Sequence, residues 1–600
     1  MPNRPSQQPP PRIQIQNVWP QLDCGRFAVK RTVGDRVEVW ANVFRDGHEV
    51  LGVAIRYKRP GGRWQEAPMH ALGNDRWSGS FEVDRCGRWC YRVQAWHDRI
   101  ASWQDEVRRK AEAGQEDLAS ELSEGAALLG RESVTVEEGL AAEIEDRHDP
   151  AESPQLELDV DRPRASFGAW YELFPRSWGG FKGVAKALPE IAELGFDVVY
   201  LPPIHPIGRT NRKGRNNTLD PGPNDPGSPW AIGAEEGGHD AVHPDLGTLE
   251  DFDRLVARAN ELGLEIALDF AIQCSPDHPW LKEHPEWFQH RPDGTLKYAE
   301  NPPKRYQDIH NVDWDCEDWR GLWEALRDVV LHWCAHGVRI YRVDNPHTKP
   351  VPFWEWLIHE VRAQFPETVF LAEAFTAPAM MTTLAKAGFS QSYTYFTWKN
   401  SKTELHDFVG QLLQWREFYR PNLFANTPDI LHAYLQRGGP AAFEARLVLA
   451  ATISPTYGIY SGYERCENLP IREGSEEYLD SEKYEVKQRS LKGAPLLPLI
   501  KRLNEIRRAE PALRRLDNIR FLETESDQLV AYVKDELIVV VNIDPAAAQE
   551  GLCIVPVQLG LPPAFQVTDL LTGERHPWRA GRNYVRLDPG KAHIMKVLHR

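Results

Sequence analysis

Between Trp170 and Ser461 the chain alternates short runs of β-branched, aromatic and aliphatic residues with amphipathic helical stretches, eight units in all. Parallel strands need a crossover of a dozen residues or more, so this alternation restricts the segment to a parallel sheet covered by helices. The strand-like runs fall at 170–174, 198–201, 265–270, in the segment ending on Asp344, and at 368–375, 391–396, 424–426 and 457–461. Helical spacing occupies 184–194, 249–262, 319–336 and 353–365. A closed (β/α)8 barrel and a doubly wound sheet both fit the pattern. Acids near the ends of the fourth, fifth and seventh runs, Asp344, Glu373 and Asp429, converge more naturally in the closed form. Residues 271–316, rich in His, Pro and Trp, are too long for a simple βα loop and predict a subdomain over the active face.

Six hundred residues exceed what one core serves, and the remainder divides accordingly. A polar, proline-rich tail is expected over 1–12. Runs at 37–43, 53–57, 77–81 and 89–96 predict an N-terminal β-sandwich spanning 13–104 and 150–164, to which the run at 156–160 returns the chain. Between these parts, 105–149 is Glu- and Ala-rich with apolar residues at helical spacing, a helical insertion. The catalytic barrel is assigned to 165–505. Alternation at 527–533, 536–542 and 584–587 predicts an antiparallel β domain over 506–600. The fold class is therefore multidomain α/β, a TIM barrel flanked by two β domains. The apolar stripe of the insertion has no evident core of its own and must cover the sandwich or a second subunit, and a homodimer is expected.

A formal charge of -16 argues against nucleic acid and anionic membrane as partners. No apolar run approaches the ~20 residues of a membrane span, and the first ten residues lack the apolar stretch of a signal peptide. Eight scattered cysteines read as reduced thiols of a cytoplasmic protein. Cys86 and Cys90 form a lone pair, and His239 and His347 lack clustered Cys/His spacing, so no metal is implied. The glycines at 179–183 lack the spacing of a nucleotide loop, and no cofactor is implied.

Asp344 ends a buried β run two residues after Arg342, and Glu373 ends the next run. A carboxylate with no task is costly among Val, Ile, Tyr, Phe, Leu and Ala, and paired acids at barrel strand ends commonly serve sugar chemistry. Locally, Asp429 in its Thr-Pro-Asp turn is as good an N-cap as a catalyst, and Lys304-Arg305-Tyr306 reads more readily as a solvated loop than as a ligand set. The segments 204–208, 210–218, 227–233, 299–308, 426–429 and 467–483, with the Asp344 motif, resemble the bacterial maltosyltransferase branch of the α-amylase superfamily over nearly the whole chain. The resemblance implies retaining transfer of maltosyl units from α-maltose 1-phosphate to the non-reducing 4-hydroxyl of an α-1,4-glucan, releasing phosphate, by a protein that associates in pairs. It implies Asp344 as nucleophile oriented by Arg342, Glu373 as acid/base, and Asp429 as the group that holds the sugar hydroxyls and stabilises positive charge. Asn301, Lys304, Tyr306 and Asn345 are the implied phosphate ligands. Lys213, Gln273, Asp269 and His239 are implied around the sugars. Two departures weaken a hydrolase reading: Gln273-Cys274 stands where the wider superfamily usually has Asn-His, and Pro428 precedes Asp429 where hydrolases commonly have His. Arg305 occupies a position expected to vary. A hydrolase or other transglycosidase of the superfamily, and a non-catalytic carbohydrate-binding protein, are the alternatives.

Overall fold

The computed structural model describes residues 10–301 and 304–598, the side chains of Asn301 and Lys304 excepted. Residues 1–9 of the expected tail thus lie outside the described residues. The chain divides into two compact units, 1–162 and 163–600.

In the first unit, period-two burial builds the core. Arg36–Phe44 turns Val37, Val39, Ala41 and Val43 inward, and Gly87–Asp98 does the same with Trp89, Tyr91, Val93 and Ala95. Instead of two stacked sheets, the strands form one nine-stranded sheet that curls around this core. Leu156–Asp161 pairs antiparallel with Gly87–Asp98 and parallel with Val29–Thr32, returning the chain as expected. Gln65–Gly73 is a strand the alternation does not reveal, because only Met69 along it is buried.

The insertion departs from expectation in two ways. It holds three helices, Arg99–Glu112, Ala119–Leu128 and Val136–Leu140, the first capped by Asp98 accepting from Ala101 N. Its apolar stripe also has a core of its own, built from Trp103, Val107, Ala126 and Val134. A Cβ at Gly125 would lie 1.9 Å from the Trp103 ring, and one at Gly139 2.3 Å from it, so the indole fills the space two absent side chains leave. Self-packing removes the need for a second subunit to cover the stripe.

The second unit contains the barrel. Its parallel strands are β1 (Gly168–Glu172), β2 (Val198–Leu201), β3 (Glu265–Phe270), β4 (Ile340–Asp344), β5 (Val369–Glu373), β6 (Gln391–Ser392), β7 (Asn422–Phe424) and β8 (Thr456–Tyr460). Their order around the sheet is 6-5-4-3-2-1-8-7, and a parallel bridge from Ser392 to Pro421 brings β6 to β7. The helices are α1 (Gly180–Glu193), α2 (Leu249–Glu261), α3 (Trp319–Ala335), α4 (Val351–Gln364), α5 (Pro378–Lys386), α6 (Lys402–Gln414), α7 (Ala433–Ile453) and α8 (Leu497–Ala509). α8 runs past the expected boundary at 505 because its buried Arg507 donates to the carbonyls of Ala451, Ser454 and Pro455. The run at 391–396 yields only a two-residue strand; the chain then turns into a 3-10 helix, Tyr395–Trp398, started by Phe396 N donating to the Thr394 hydroxyl. Within 271–316 the expected subdomain is a short helix, Trp280–Glu283, and a hairpin of Tyr298–Asn301 with Lys304–His310. Eight antiparallel strands from Ile519 to Leu598 close the chain around Leu529, Val540, Val567 and Met595.

Candidate active site

Strand register places the two central acids side by side. Asp344 and Glu373 are direct partners across β4 and β5, and two residues earlier Asp269 on β3 faces Arg342 on β4. Residues two apart on a strand share a face, so Arg342 lies on the same face as Asp344 and directly beneath it. Its guanidinium donates from one nitrogen to Asp344 Oδ1 and Asp269 Oδ2, both at 2.8 Å, and pairs through the other with Glu373 Oε1 at 3.0 Å. Burial opposes the charge on Arg342, but Asp269, Glu373 and Asp344 overcome it and raise its pKa.

The acids differ in environment. Burial, reinforced by the charges of Asp344 and Asp429, pushes Glu373 up to about 8 against the pull of Arg342. Asp344 Oδ2 instead receives the Gln273 amide at 2.5 Å and the Asn345 amide at 3.3 Å. Asn345 adopts a left-handed conformation, φ 42°, which turns its backbone N–H onto Glu373 Oε2 at 3.1 Å. Lys349, depressed by burial, donates to the Asp344 and Asn345 carbonyls and secures that turn. Asp269 is fully enclosed and receives the Tyr200 hydroxyl at 2.5 Å; burial and the Asp344 charge push it up to about 7.

Asp429 comes from the loop after β7 and pairs with Lys483. Burial disfavours the lysine charge, but Asp429 restores it and raises its pKa. The loop carrying Lys483 is anchored next door, where Arg489 bonds the fully buried Glu482 and also pairs with Glu467, and Tyr460 at the end of β8 donates to Glu482.

A cleft of about 770 Å³ gathers Asp344, Glu373, Asp429, Gln273, Asn345 and Tyr306. A smaller cavity of about 360 Å³ behind the loops of β1 and β2, beside Arg176, Arg212 and His243, contains none of the three acids. Among expected sugar contacts, Lys213 is buried and donates to Gln307 at 2.6 Å, so it braces the 304–310 strand from outside the cleft wall. Asp269 likewise acts beneath the floor, through Arg342. His239 does not face sugar: it is buried, Nε2 donates to Ala271 O, and Nδ1 meets His278 Nε2 at 3.0 Å. His239 and His278 lie within reach of Cys274, but Trp280 N–H occupies His278 Nδ1, which leaves Nε2 protonated and donating to His239 rather than free for a metal. Asn301 and Lys304 side chains lie outside the described residues. Arg305 is 66% exposed, pairs with Glu300 at 3.8 Å and does not line the cleft.

Residues 11–162 match the family described as alpha-1,4-glucan:maltose-1-phosphate maltosyltransferase, domain N/S, residues 169–323 match the alpha amylase catalytic domain, and residues 521–597 match the C-terminal domain of the same maltosyltransferase family. Alpha-1,4-glucan:maltose-1-phosphate maltosyltransferase 2 of Streptomyces coelicolor is 50% identical over 98% of this chain and 96% of its own. The Mycobacterium tuberculosis maltosyltransferase is 44% identical over 98% and 96%. The chain belongs to this maltosyltransferase family. An α-amylase from Lactobacillus plantarum, 24% identical with a TM-score of 0.57 over 73% of this chain and all of that one, shares the fold.

In this maltosyltransferase-family chain the first of the two departures from the wider superfamily, Gln273-Cys274, has structural tasks. Gln273 holds the nucleophile candidate, and Cys274 is buried in a bridge to His310. Sequence reasoning missed Lys349, five residues after Asp344, and Lys483, although Lys483 closes a segment it singled out. It also missed Glu172, the acid ending β1, whose carboxyl burial pushes well up beneath the same site. Phe375 and Trp398 line the cleft beyond Glu373, and nothing local in the sequence separates them from core aromatics.

Proposed function

We propose that this chain transfers maltosyl units from α-maltose 1-phosphate to the non-reducing 4-hydroxyl of an α-1,4-glucan with retention, releasing inorganic phosphate, in α-glucan biosynthesis. The observation that carries the reading is one cleft holding paired strand-end acids together with Tyr306 and Asn345, two of the expected phosphate ligands. Asp344, oriented by Arg342, attacks the anomeric carbon as the bond to phosphate oxygen breaks, leaving a maltosyl ester on Asp344. Asp429, itself held by Lys483, contacts the sugar hydroxyls. The glucan 4-hydroxyl then attacks the same carbon, Glu373 takes its proton, and the ester bond breaks. Two inversions give retention. Asn301, Lys304, Tyr306 and Asn345 bind the leaving phosphate.

Phosphate release on mixing α-maltose 1-phosphate with glycogen, without reducing-sugar release from starch, is the expected result; the reverse would make the chain a hydrolase. Lys304→Ala should impair use of maltose 1-phosphate far more than use of maltosyl fluoride, by roughly 2 to 5 kcal/mol, the scale for truncating one partner of a hydrogen-bonded charge pair. Equal losses with both donors would remove Lys304 from the phosphate site.

Pairwise association through residues 105–149 is supported by the family resemblance and no longer by an uncovered apolar stripe. Light scattering on the intact chain and on one with the insertion replaced by a short linker tests it; a monomer mass for both ends the idea. No helix among the described residues is long and apolar enough to cross a membrane. Cys24, Cys90, Cys274, Cys316, Cys334, Cys466 and Cys553 are free thiols, which supports a cytoplasmic location that cell fractionation checks.

A further inference from the structure

Between Arg465 and Leu497 the described chain forms no helix or strand, yet this stretch carries Lys483, the partner of Asp429. A lysine reaches its target over a flexible four-carbon stem, so where its ammonium sits depends on how firmly the backbone beneath it is held. Glu482 anchors that backbone from inside, through Arg489 and Tyr460. A second set of contacts holds it from outside. Arg215, in the loop between β2 and α2, forks onto Glu485, donating from Nε to Oε1 at 2.8 Å and from Nη2 to Oε2 at 2.6 Å. Its neighbour Asn216 donates its amide to Asp480 Oδ1 at 3.2 Å and accepts from Asp480 N at 2.9 Å. The two contacts thus fall three residues before Lys483 and two residues after it.

The backbone at this clasp is strained. Asn216 and Asn217 are both left-handed, φ 49° and 66°, and Asp480 opposite them is left-handed as well, φ 50°. Residues with a Cβ disfavour this region, and Asn and Asp are the ones that enter it most readily. Three of them meeting at one contact are held there by their mutual bonds, and strain of this kind gathers at functional sites. Asn217 lines the catalytic cleft together with Lys483 and Asp429, whereas Arg215, Asn216, Asp480 and Glu485 do not. The clasp therefore borders the site without facing the sugar.

We propose that Arg215 and Asn216 are positioning residues for the transfer reaction, which clasp the backbone on both sides of Lys483 and thereby fix Asp429 against the sugar hydroxyls. This role rests on Asp429 contacting the sugar, as proposed for the reaction. Asp429 acts on the sugar and not on the phosphate, so the clasp serves every maltosyl donor equally.

The test is the double variant Arg215→Ala/Asn216→Gly, with transfer to glycogen as readout. Glycine keeps the left-handed turn and Arg215 is 64% exposed, so circular dichroism should match that of the unaltered protein. The kcat should fall about 10- to 100-fold, the scale on which a misplaced substrate contact acts, and by the same factor with α-maltose 1-phosphate and with maltosyl fluoride. Asn216→Gly alone should lower it about threefold. In a Lys483→Ala background the double substitution should cost less than about twofold, because the route to Asp429 is already cut. An equal loss in both backgrounds would make the clasp a structural brace and overturn the proposal. An unchanged kcat in the double variant, or a loss confined to α-maltose 1-phosphate, would overturn it too, and in each of these cases the transfer reaction stands. No phosphate release by the unaltered protein with α-maltose 1-phosphate and glycogen would overturn the transfer reading and this role with it.

Discussion

Asp344→Ala is expected to abolish maltosyl transfer, by at least about 10⁵-fold, the scale on which loss of a catalytic nucleophile acts, while circular dichroism stays that of the unaltered protein. The strand end that carries Asp344 is held by neighbours the substitution does not touch: β4 keeps its register with β3 and β5, and Arg342 keeps Asp269 and Glu373. Covalent chemistry makes the assignment directly checkable. A Glu373→Ala variant incubated with maltose 1-phosphate or a fluorinated maltosyl donor should accumulate a maltosyl ester, and peptide mass spectrometry should place it on Asp344. An adduct on any other acid would displace Asp344 from its role.

The second large effect belongs to Glu373. Phosphate leaves without much proton donation, so Glu373→Ala should slow ester formation little and slow transfer to glucan by about 10² to 10⁴-fold, the usual range for a lost general base. The expected record is a burst of one phosphate per site followed by slow turnover, accelerated by azide, a nucleophile that needs no base. A second-step base must be ionised, yet in the free enzyme burial and the Asp344 charge hold Glu373 at about 8. Ester formation removes the Asp344 charge, and the sign is then fixed: with one negative neighbour gone, the Glu373 pKa falls, making it a stronger acid and an ionised base near neutrality. Asp344→Asn imitates that neutralisation. Carbon NMR titration of labelled Glu373 in this variant should give a value below that of the unaltered protein, and an equal or higher value would refute the cycle.

Legibility in the sequence followed the range of the interactions concerned. The βα alternation, Asp344 with Arg342, and the acid at the end of β5 are local patterns, because a buried parallel strand must be apolar and any acid in it stands out. Gln65–Gly73 was invisible because only Met69 is buried along it. The insertion stripe was visible, but its partner was not: whether it faced a subunit or itself depended on Trp103 meeting Gly125 and Gly139 from other helices. His239 shows the same limit. A histidine before the third strand is equally suited to sugar or to a buried hydrogen-bond chain, and only the proximity of His278 and Ala271 decides between them.

By itself the sequence determined the barrel, its flanking β domains and the residues at the strand ends, since these follow from period, length and the cost of a charge in an apolar run. The tertiary structure alone decided how those end residues differ. Glu172, Asp269, Asp344 and Glu373 are all acids at or near barrel strand ends, yet register gives three of them to Arg342, burial drives Glu172 well up, and the charge of Asp344 helps hold Glu373 near 8. Those distinctions are electrostatic sums over groups far apart in the chain, from Gln273 to Lys483, and no local pattern contains them.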